Sequence, residues 1–445
     1  MKRLLKGGHV VDPTQGVDGT RDVLLDGDRV AAVGQDLPAG PGVEVVEIPD
    51  GWVVCPGFVD MHVHLREPGQ EHKETIASGT AAAAAGGFTA VACMPNTEPV
   101  NDSAAVTRSI VERAAISGVV RVYPIGAVSK GMKGESLSEI ADLKGAGCVA
   151  VSDDGKPVVS AMLMRRALEY AGMFGIPVID HCEEPTLKGE GVAHEGFVAS
   201  MLGLRGIPAT AESIMVERNL ALAELTGSAV HMAHLSTRQA LRAMDAAKSR
   251  GLAATCEVTP HHFTLTDERL TAPTSYDTNL KMNPPLRERA DVDAVLQGLR
   301  NGTVDVIATD HAPHQQDEKA VEFDRAPFGI IGLETAIPLA LDRLVHRGVV
   351  TLRRLVQLMS INPSRILSLP GGSLRPGRPA DVTIIAPSAA TMIDVARSKS
   401  LSRNSPFDGW KLRGAVAVTI VGGRTVFVNG DVAGAAAFQA AGDRG

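Results

Sequence analysis

Between residues 57 and 309 the chain alternates eight short apolar runs with alanine-rich stretches of helical periodicity. The apolar runs are rich in β-branched residues and are bounded by glycine, proline or polar turns, as buried strands are. Eight strand and helix units in succession favour an α/β fold in which a parallel sheet closes into a (β/α)8 TIM-like barrel. A doubly wound open sheet is the alternative, but no GxGxxG motif follows the first strand. The predicted strands are 57–64, 89–94, 120–127, 148–152, 177–181, 229–234, 252–259 and 304–309.

The two ends of the chain differ from this middle, because they contain short β-type runs punctuated by glycine and aspartate. A Gly-Gly pair in VGGRTV is typical of a hairpin turn between the last two runs. Since the termini of a domain usually lie close together, we expect both ends to form one small β-sandwich. This predicts three segments: 1–56 as the N-terminal part of the sandwich, 57–370 as the barrel, and 371–445 as the C-terminal part.

The composition restricts the class of partner. With 44% hydrophobic and 21% charged residues, the 445-residue chain has the make-up of an ordinary folded protein. A formal net charge of -7 offers no basic surface for nucleic acid, and no apolar run approaches the ~18 residues of a membrane span. Five scattered cysteines without a CxxC pair favour the reducing cytoplasm. We therefore expect a cytoplasmic protein that binds a small molecule.

Polar side chains occur at the C-terminal ends of most predicted strands, where barrel enzymes build their sites. His62 and His64 are two positions apart at the end of the first strand, and Arg66 continues the same alternation. Residues i, i+2 and i+4 of a strand point to one face, so these three side chains are expected to share a surface. The other candidates on this rim are Asn96, Asp153, Asp154, His181, His234, Asn283, Asp310 and His314.

The ligand chemistry of this rim indicates a metal centre. Four imidazoles with one or two carboxylates suit zinc, manganese or cobalt, which take nitrogen and oxygen donors. The set is too large for one tetrahedral ion, so we expect two divalent ions roughly 3.5 Å apart with Asp154 as the bridging carboxylate. Its neighbour Asp153 is assigned a cap or turn role, because adjacent strand-end residues point to opposite faces. The same rule sets aside His231, three residues before His234, as facing away.

Three further residues near the rim are left out of the ligand set. His261 and His262 follow Pro260 and are candidates for lining the pocket or supporting a ligand. Cys182 lies next to His181, and the role of a buried small hydrophobic residue fits it better than that of a nucleophile.

Two segments, DMHVHLREPG at 60–69 and ATDHAPH at 308–314 followed by Lys319, resemble the signature segments of the dihydroorotases, which belong to the amidohydrolase superfamily. The resemblance covers essentially the whole chain, including GSLRPGRPADVTII in the C-terminal part. HxH alone marks the whole superfamily, whereas the two segments in this order are specific. The resemblance implies reversible interconversion of N-carbamoyl-L-aspartate with L-dihydroorotate and water in de novo pyrimidine biosynthesis.

The resemblance also implies which residues bind metal. Many superfamily members use a carboxylated lysine as the bridge after the fourth strand, but CVAVSDDGKPV resembles the long bacterial dihydroorotases in which an aspartate takes its place. Lys156, two residues beyond Asp154, is the only lysine that could be the alternative. Two divalent ions, zinc by preference, would then be bound by His62, His64, Asp154, His181, His234 and Asp310.

Recognition of the substrate is assigned first to Arg66, because a guanidinium can pair with the ring carboxylate through two parallel hydrogen bonds. Hydantoinases and allantoinases as a rule lack such an arginine, which favours a dihydroorotase over these relatives. An ion pair with Glu67 or Glu71 is the structural alternative for Arg66. The residues that the resemblance places at the substrate are His64, Arg66, Asn96, Asn283, His314 and the backbone groups of Phe328 and Gly329.

Opening the ring needs an activated water, a polarised carbonyl and a proton for the departing nitrogen. The metals can supply the first two, and Asp310 is the candidate for taking a proton from the water and returning it to the nitrogen. His314, four residues on, is a candidate for holding developing charge. The charged segment 315–325 is either a loop that covers the substrate or a solvated surface loop.

Two other functions stay open from the sequence alone. Another cyclic amidohydrolase, such as a hydantoinase or an allantoinase, is the nearer alternative. A metal-free structural partner of aspartate transcarbamoylase is the more distant one, and it is disfavoured because such proteins lose metal ligands while this chain keeps all six. We expect a homo-oligomer, and association with aspartate transcarbamoylase stays open.

Overall fold

A computed structural model describes residues 2–438, so Met1 and residues 439–445, the outermost parts of the predicted terminal segments, lie outside the described residues. The strands are β1 Lys2–Asp12, β2 Val17–Asp26, β3 Arg29–Gly34, β4 Val43–Glu47, β5 Val53–Pro56, β6 Phe58–Val63, β7 Phe88–Cys93, β8 Arg121–Gly126, β9 Ala150–Ser152, β10 Val178–Asp180, β11 Ala193–His194, β12 Gly206–Ile207, β13 Val230–Met232, β14 Ala254–Val258, β15 Val306–Ile307, β16 Val382–Met392, β17 Lys411–Val421 and β18 Arg424–Val428. The α-helices are α1 Ile76–Ala85, α2 Ala104–Ser117, α3 Ile140–Ala146, α4 Ala161–Met173, α5 Pro185–Lys188, α6 Phe197–Leu202, α7 Thr210–Thr226, α8 Arg238–Ser249, α9 Pro260–Thr264, α10 Arg289–Asn301, α11 Gln316–Lys319, α12 Leu333–Ala340, α13 Leu352–Val356 and α14 Asn362–Ile366. None of the helices in this part of the chain has the length and apolar character that a membrane crossing needs.

Eight strands form a parallel barrel, which confirms the predicted fold. β6 to β10 and β13 to β15 lie side by side in chain order, as expected when a helical crossover joins each strand to the next. Just beyond the first and last strands, the N–H of His64 donates to the carbonyl of His311 at 2.9 Å. The carboxylate of Asp60 strengthens this closure by accepting from the N–H of Thr309 at 3.2 Å. Each predicted strand is present within a few residues of its predicted bounds.

The barrel wall is buried on both faces. Helix α8 shows why the outer layer forms: its buried side chains recur at the spacing of one helical face, and Thr237 caps its first turn by accepting from the N–H of Ala240 at 3.3 Å. The interior has its own apolar cluster, to which six strands contribute Met61, Ala92, Ile125, Ala150, Ile179 and Val306. Apolar packing on both sides therefore fixes the strands whose ends carry the candidate residues.

Strands from both ends of the chain form a second, eight-stranded sheet, so the two ends come together as predicted, and the two layers of a β-sandwich stay a prediction. β5 pairs antiparallel with β16, with Val54 opposite Ile384, so main-chain hydrogen bonds join the two ends. In the β17–β18 hairpin Gly422 and Gly423 have φ values of 55° and 75°. A Cβ on Gly423 would lie 2.0 Å from the carbonyl oxygen of Gly27. Glycine is therefore required at this turn, where the sequence predicts a Gly-Gly hairpin.

One segment of the C-terminal part leaves the terminal sheet and returns to the barrel. We call it the crossover segment, residues 398–405, between β16 and β17. The hydroxyl of Ser402 donates to the carbonyl of Lys73, in the loop after β6, at 2.8 Å. The amide of Asn404 donates to the carbonyl of Ala312, in the loop after β15, at 3.0 Å. The C-terminal part therefore contacts the rim where the candidate residues lie.

Candidate metal centre and substrate pocket

The candidate metal ligands come from five strand ends, and two of them, like the neighbouring Arg66, lie where the chain turns away from its strand. Arg66, His234 and Asp310 have positive φ values of 60°, 32° and 49°. Residues other than glycine seldom adopt this left-handed conformation, and it clusters at sites where a side chain must be aimed. The local turn therefore directs these side chains independently of the period-2 alternation of the strands.

His62 and His64 face the two candidate carboxylates. His62 Nε2 lies 3.4 Å from Asp154 Oδ1 and 3.5 Å from Asp310 Oδ1. His64 Nε2 lies 3.1 Å from Asp310 Oδ1 and 3.5 Å from Asp154 Oδ2. Asp154 thus offers a different oxygen to each histidine, which is the arrangement of a carboxylate shared between neighbouring ions.

His181 and His234 also lie beside Asp154, near the same carboxylate oxygen that faces His62. Nδ1 of His181 and Nε2 of His234 are 2.9 Å apart. They lie 3.8 Å and 3.6 Å from Asp154 Oδ1, respectively. The structure therefore brings all six predicted ligands into one cluster centred on Asp154.

The donor set of this cluster fits divalent cations. Among the described residues, His62 Nε2 and Asp154 Oδ1 are buried without a hydrogen-bond partner, although they face each other at 3.4 Å. Buried polar atoms left unpaired cost free energy, and a cation that binds both would remove that cost. Zinc–nitrogen bonds of about 2.0–2.1 Å place two ligands of one ion about 3.3 Å apart, which is close to the spacing here.

Behind His62 lies a buried carboxylate that the sequence analysis missed. Glu257, on β14, accepts from His62 Nδ1 through Oε1 at 2.6 Å. This contact keeps the proton of His62 on Nδ1 and leaves the lone pair of Nε2 directed at Asp154. Glu257 is missed because an acid in the middle of the apolar run TCEV belongs to no spacing motif, although its presence inside a barrel strand is itself a signal.

The expectation that His231 faces away from the cluster is wrong. His231 Nε2 lies 3.2 Å from Glu257 Oε2, so His231 and His62 contact the same carboxylate. The alternation rule fails because β13 ends at Met232, and His234 lies beyond it with a left-handed backbone. His231 supports the cluster from behind and does not reach it.

Electrostatics favours the charged form of both candidate carboxylates. Burial raises the pKa of Asp154, but the neighbouring imidazoles, His62 first and then His234, outweigh burial and hold this pKa well below its usual range. Burial also raises the pKa of Asp310, and there His62 and His64 reverse the effect and lower it. Ionised carboxylates are the form that binds cations.

A cavity of about 430 Å³ opens beside the cluster, and Arg66, Asn96 and Asp154 contribute to its wall. Asn96 Oδ1 also lies 2.8 Å from His64 Nδ1, so this amide both orients a candidate ligand and borders the cavity. Lys156, the alternative to Asp154 as the bridge, is exposed on the same wall, whereas Asp154 is buried. The space suits a small polar ring that lies against the cluster.

Arg66 is buried beside this cavity, with 8% of its surface exposed. Its Nε donates to the carbonyl of Pro313 at 3.2 Å. Glu67 pairs with Arg113 instead, and among the described residues no carboxylate lies within ion-pair distance of Arg66. Burial lowers the pKa of Arg66 to about 10, so the guanidinium is charged at neutral pH. A buried cation of this kind is suited to an anionic group on a ligand.

His314, Phe328 and Gly329 form the wall behind Arg66. His314 Nε2 donates to the carbonyl of Phe328 at 2.9 Å and lies 3.4 Å from the guanidinium. Burial and the charge of Arg66 lower the pKa of His314 to about 2, so its ring is neutral at physiological pH. The N–H of Gly329 donates to the carbonyl of Lys281 at 2.9 Å. The carbonyl of Phe328 and the N–H of Gly329 are therefore already hydrogen-bonded within the protein, and either group would have to give up or share that bond to contact a ligand.

Asn283 lies at the opposite side of the cluster, next to His181. Its Nδ2 is 3.1 Å from His181 Nε2 and donates to Glu183 Oε2 at 3.2 Å. Its Oδ1 is buried without a hydrogen-bond partner within residues 2–438. The free oxygen can accept from an N–H of a ligand.

The remaining residues singled out from the sequence have structural surroundings. Asp153 accepts from the N–H of Ser129 at 3.1 Å and from its hydroxyl, so its side chain joins two loops that are 24 positions apart, and its assigned cap or turn role stays a prediction. Burial raises the pKa of the Cys182 thiol well above its usual range, which leaves it protonated and inert. His261 and His262 are buried imidazoles, and burial lowers the pKa of His261 to about 4.

The charged segment 315–325 is anchored in this structure. Glu318 pairs with Lys73 at 2.8 Å, and the buried Lys319 donates to the carbonyl of Pro327 at 2.8 Å. Burial lowers the pKa of Lys319 to about 7. Whether the segment opens over the substrate stays a prediction.

The chain is similar along nearly its whole length to proteins named dihydroorotase. A family profile described as Dihydro-orotase-like matches residues 51–240. A dihydroorotase of Geobacter metallireducens is 53% identical over 427 residues, which are 96% of this chain and 100% of that protein. A dihydroorotase of Pelotomaculum thermopropionicum is 55% identical over 426 residues, which are 96% of this chain and 98% of that protein.

Solved structures share the fold at lower identity. The crystal structure of a dihydropyrimidinase from Brevibacillus agri has a TM-score of 0.84 and 23% identity, and it covers 98% of this chain and 97% of that chain. An L-hydantoinase from Arthrobacter aurescens has a TM-score of 0.86 and 24% identity, with 97% of each chain covered. At this identity the likeness supports the barrel and the terminal sheet and nothing finer.

Proposed function

The chain belongs to the dihydroorotase family, and on that premise we propose that it interconverts N-carbamoyl-L-aspartate with L-dihydroorotate and water, in de novo pyrimidine biosynthesis. The reaction closes or opens a cyclic amide, so the enzyme is a cyclic amidohydrolase. The observation that carries the proposal is the buried cation of Arg66, which has no carboxylate within ion-pair distance among the described residues, beside a cluster of four imidazoles and two carboxylates. The cluster suits amide hydrolysis, and the arginine adds a partner for a carboxylate on the ring.

We assign the cluster to two divalent ions, zinc by preference. Support comes from Asp154, whose two oxygens face different histidines, and from the four imidazole nitrogens, which favour zinc over magnesium. When bound, such ions supply hydroxide at neutral pH and a Lewis acid for the ring carbonyl. The residues that would hold them are His62, His64, Asp154, His181, His234 and Asp310.

Asp310 is the proposed proton-transfer residue. Its side chain is 14% exposed, compared with 6% for Asp154, so it is the more accessible of the two carboxylates. As a carboxylate it can accept a proton from the attacking water and pass that proton to the departing ring nitrogen. In ring closure the same carboxylate takes the proton from the carbamoyl nitrogen and gives it to the departing hydroxide, which leaves as water.

Arg66 is proposed to bind the substrate carboxylate through its guanidinium, whose Nε is already fixed on Pro313. The unpaired Oδ1 of Asn283 is suited to a ring N–H. The other proposed substrate contacts are His64, Asn96, His314 and the backbone groups of Phe328 and Gly329.

We also propose the division into 1–56, 57–370 and 371–445, which the pairing of β5 with β16 supports. A cytoplasmic location is proposed from the five cysteines, all buried and free. A homo-oligomer is proposed from the family resemblance. Light scattering of the purified protein, alone and mixed with aspartate transcarbamoylase, tests the oligomeric state and the association together.

The direct test compares purified protein with N-carbamoyl-L-aspartate, L-dihydroorotate, hydantoin, dihydrouracil and allantoin as substrates. We expect turnover of the first two, with about two divalent ions per chain by mass spectrometry, loss on chelation and recovery with zinc. Preferred turnover of hydantoin, dihydrouracil or allantoin would replace the proposal with another cyclic amidohydrolase. Full turnover by a metal-free preparation would overturn the metal assignment.

A further inference from the structure

We propose that Asn404 is a positioning residue that orients Arg66, and with it the substrate carboxylate, from outside the barrel. The proposal rests on the proposed function, because it takes Arg66 as the carboxylate-binding residue. Asn404 lies in the crossover segment, and only 4% of its surface is exposed. It is 90 positions from His314, which it contacts.

The amide of Asn404 holds the peptide groups on both sides of Pro313. Its Oδ1 accepts from the N–H of His314 at 3.1 Å, and its Nδ2 donates to the carbonyl of Ala312 at 3.0 Å. Between them, the carbonyl of Pro313 accepts from Arg66 Nε at 3.2 Å. Proline has no N–H with which to fix its own peptide group. The two bonds from Asn404, together with the bond from the N–H of Ala312 to the carbonyl of Ile330 at 2.8 Å, therefore set the direction of the carbonyl that holds the guanidinium.

Asn404 also ties this loop to the wall behind it. Its Nδ2 donates to the carbonyl of Gly329 at 3.1 Å, and its own carbonyl accepts from the N–H of Ile331 at 2.9 Å. Phe328, next to Gly329, accepts from His314. One buried amide thus joins the two loops that surround Arg66.

The crossover segment is itself anchored, so it can hold the loop in place. The hydroxyl of Ser402 donates to the carbonyl of Lys73 at 2.8 Å, and the hydroxyl of Ser400 donates to the buried carboxylate of Glu74. Glu74 also contacts His311 Nε2 at 3.2 Å. These contacts lie on the far side of the same loop, and they make the segment a fixed support for Asn404.

The test measures kcat and KM for L-dihydroorotate with zinc-loaded enzyme. Asn404→Ala is expected to raise KM about ten-fold with less than about a three-fold change in kcat, because the guanidinium loses its fixed direction. Asn404→Asp keeps the oxygen that accepts from the N–H of His314, but it places a second oxygen, in place of the N–H donors, against the carbonyls of Ala312 and Gly329. We therefore expect KM to rise in this variant too. It is close to the same shape, so it carries the comparison if the alanine variant does not fold.

Asn429→Ala is the matched control. Asn429 Nδ2 donates to the carbonyl of Val416 at 2.9 Å in the terminal sheet, away from Arg66. Its loss should lower Tm and leave KM unchanged. An unchanged KM in both Asn404 variants, or an equal rise in Asn429→Ala, would overturn the positioning role.

A double-mutant cycle with Arg66→Met separates action through Arg66 from a general structural effect. In the Arg66→Met background, Asn404→Ala should change kcat/KM by less than about two-fold, because the group it orients is gone. A further ten-fold loss would show independent action and contradict the proposal. The proposed function is tested by the wild-type enzyme alone, and absence of dihydroorotate turnover there would refute it. If the wild type is active but the effects of Arg66→Met and Asn404→Ala on kcat/KM simply add, only the role of Asn404 is refuted.

Discussion

The metal side and the carboxylate side of the site are built in different ways. The candidate ligands lie at or just after the ends of barrel strands, and Glu257 supports His62 from inside the barrel at 2.6 Å. Arg66, by contrast, is held by the carbonyl of Pro313 in a loop, and that loop is held by Asn404 from the C-terminal part of the chain.

Because the two sides are built differently, substitutions on each side should impair the enzyme in different ways. A change on the metal side should reduce metal binding or turnover, because strand ends and their buried supports fix the donor atoms. A change on the carboxylate side should weaken substrate binding and leave the metal centre in place. A residue can therefore be assigned to one side by whether its substitution alters metal binding and kcat or alters KM.

Asp310→Ala is expected to have the largest effect, a fall in kcat of about 10⁴-fold, because it removes the proton-transfer group. Five of the six proposed ligands remain, so metal should be largely retained. Steady-state assays and metal analysis on the same preparation measure both. Asp317→Ala, which removes an exposed carboxylate of α11, is the control and should be fully active. Full activity of Asp310→Ala would show that Asp310 does not transfer the proton in the reaction.

Arg66→Met is expected to raise KM for L-dihydroorotate about 100-fold with a smaller change in kcat, since a charged bidentate contact is lost while the side-chain volume is kept. Metal content should not change. Any slow turnover of dihydrouracil, the same ring without the carboxylate, should be unaffected. A fall in kcat at constant KM would instead place Arg66 on the metal side.

Glu257→Gln is expected to weaken metal binding about ten-fold, because the neutral amide supports the Nδ1 proton of His62 less strongly than a carboxylate does. Competition with a chromophoric chelator measures the metal Kd. KM at saturating zinc should stay at the wild-type value. Unchanged metal affinity together with a raised KM would show that Glu257 affects substrate binding and does not support the metal centre.

The barrel and the metal side could be predicted from the sequence because their signals are local. Strand ends recur with a helix between them, and His62, His64 and His234 lie at those ends. A residue's position along a strand therefore places it on the rim before any contact is known. The bridging role of Asp154 came from ligand chemistry and family resemblance, and it stays a proposal.

The supports of the site could not be predicted, because their signals are contacts between distant segments. Glu257 is 195 positions from His62, and Asn404 is 90 positions from His314. Neither belongs to a spacing motif, and each is recognised only when the fold brings it to its partner. His231 was misplaced for a related reason, since the alternation rule was extended past the end of β13.

Asp12→Ala is expected to have the smallest effect on catalysis, and it tests how far the carboxylate side depends on the C-terminal part of the chain. Asp12, fully buried, accepts from the N–H of Leu374 at 2.8 Å and from the N–H of Thr14 at 2.9 Å, so it joins the two ends of the chain. Its loss leaves buried donors unpaired and should lower the free energy of unfolding by about 1–3 kcal/mol in urea titrations. We expect kcat and KM to be unchanged, because the crossover segment is anchored on the barrel through Lys73 and Glu74. A raised KM would mean that the whole terminal sheet, and not Asn404 alone, sets the direction of Arg66.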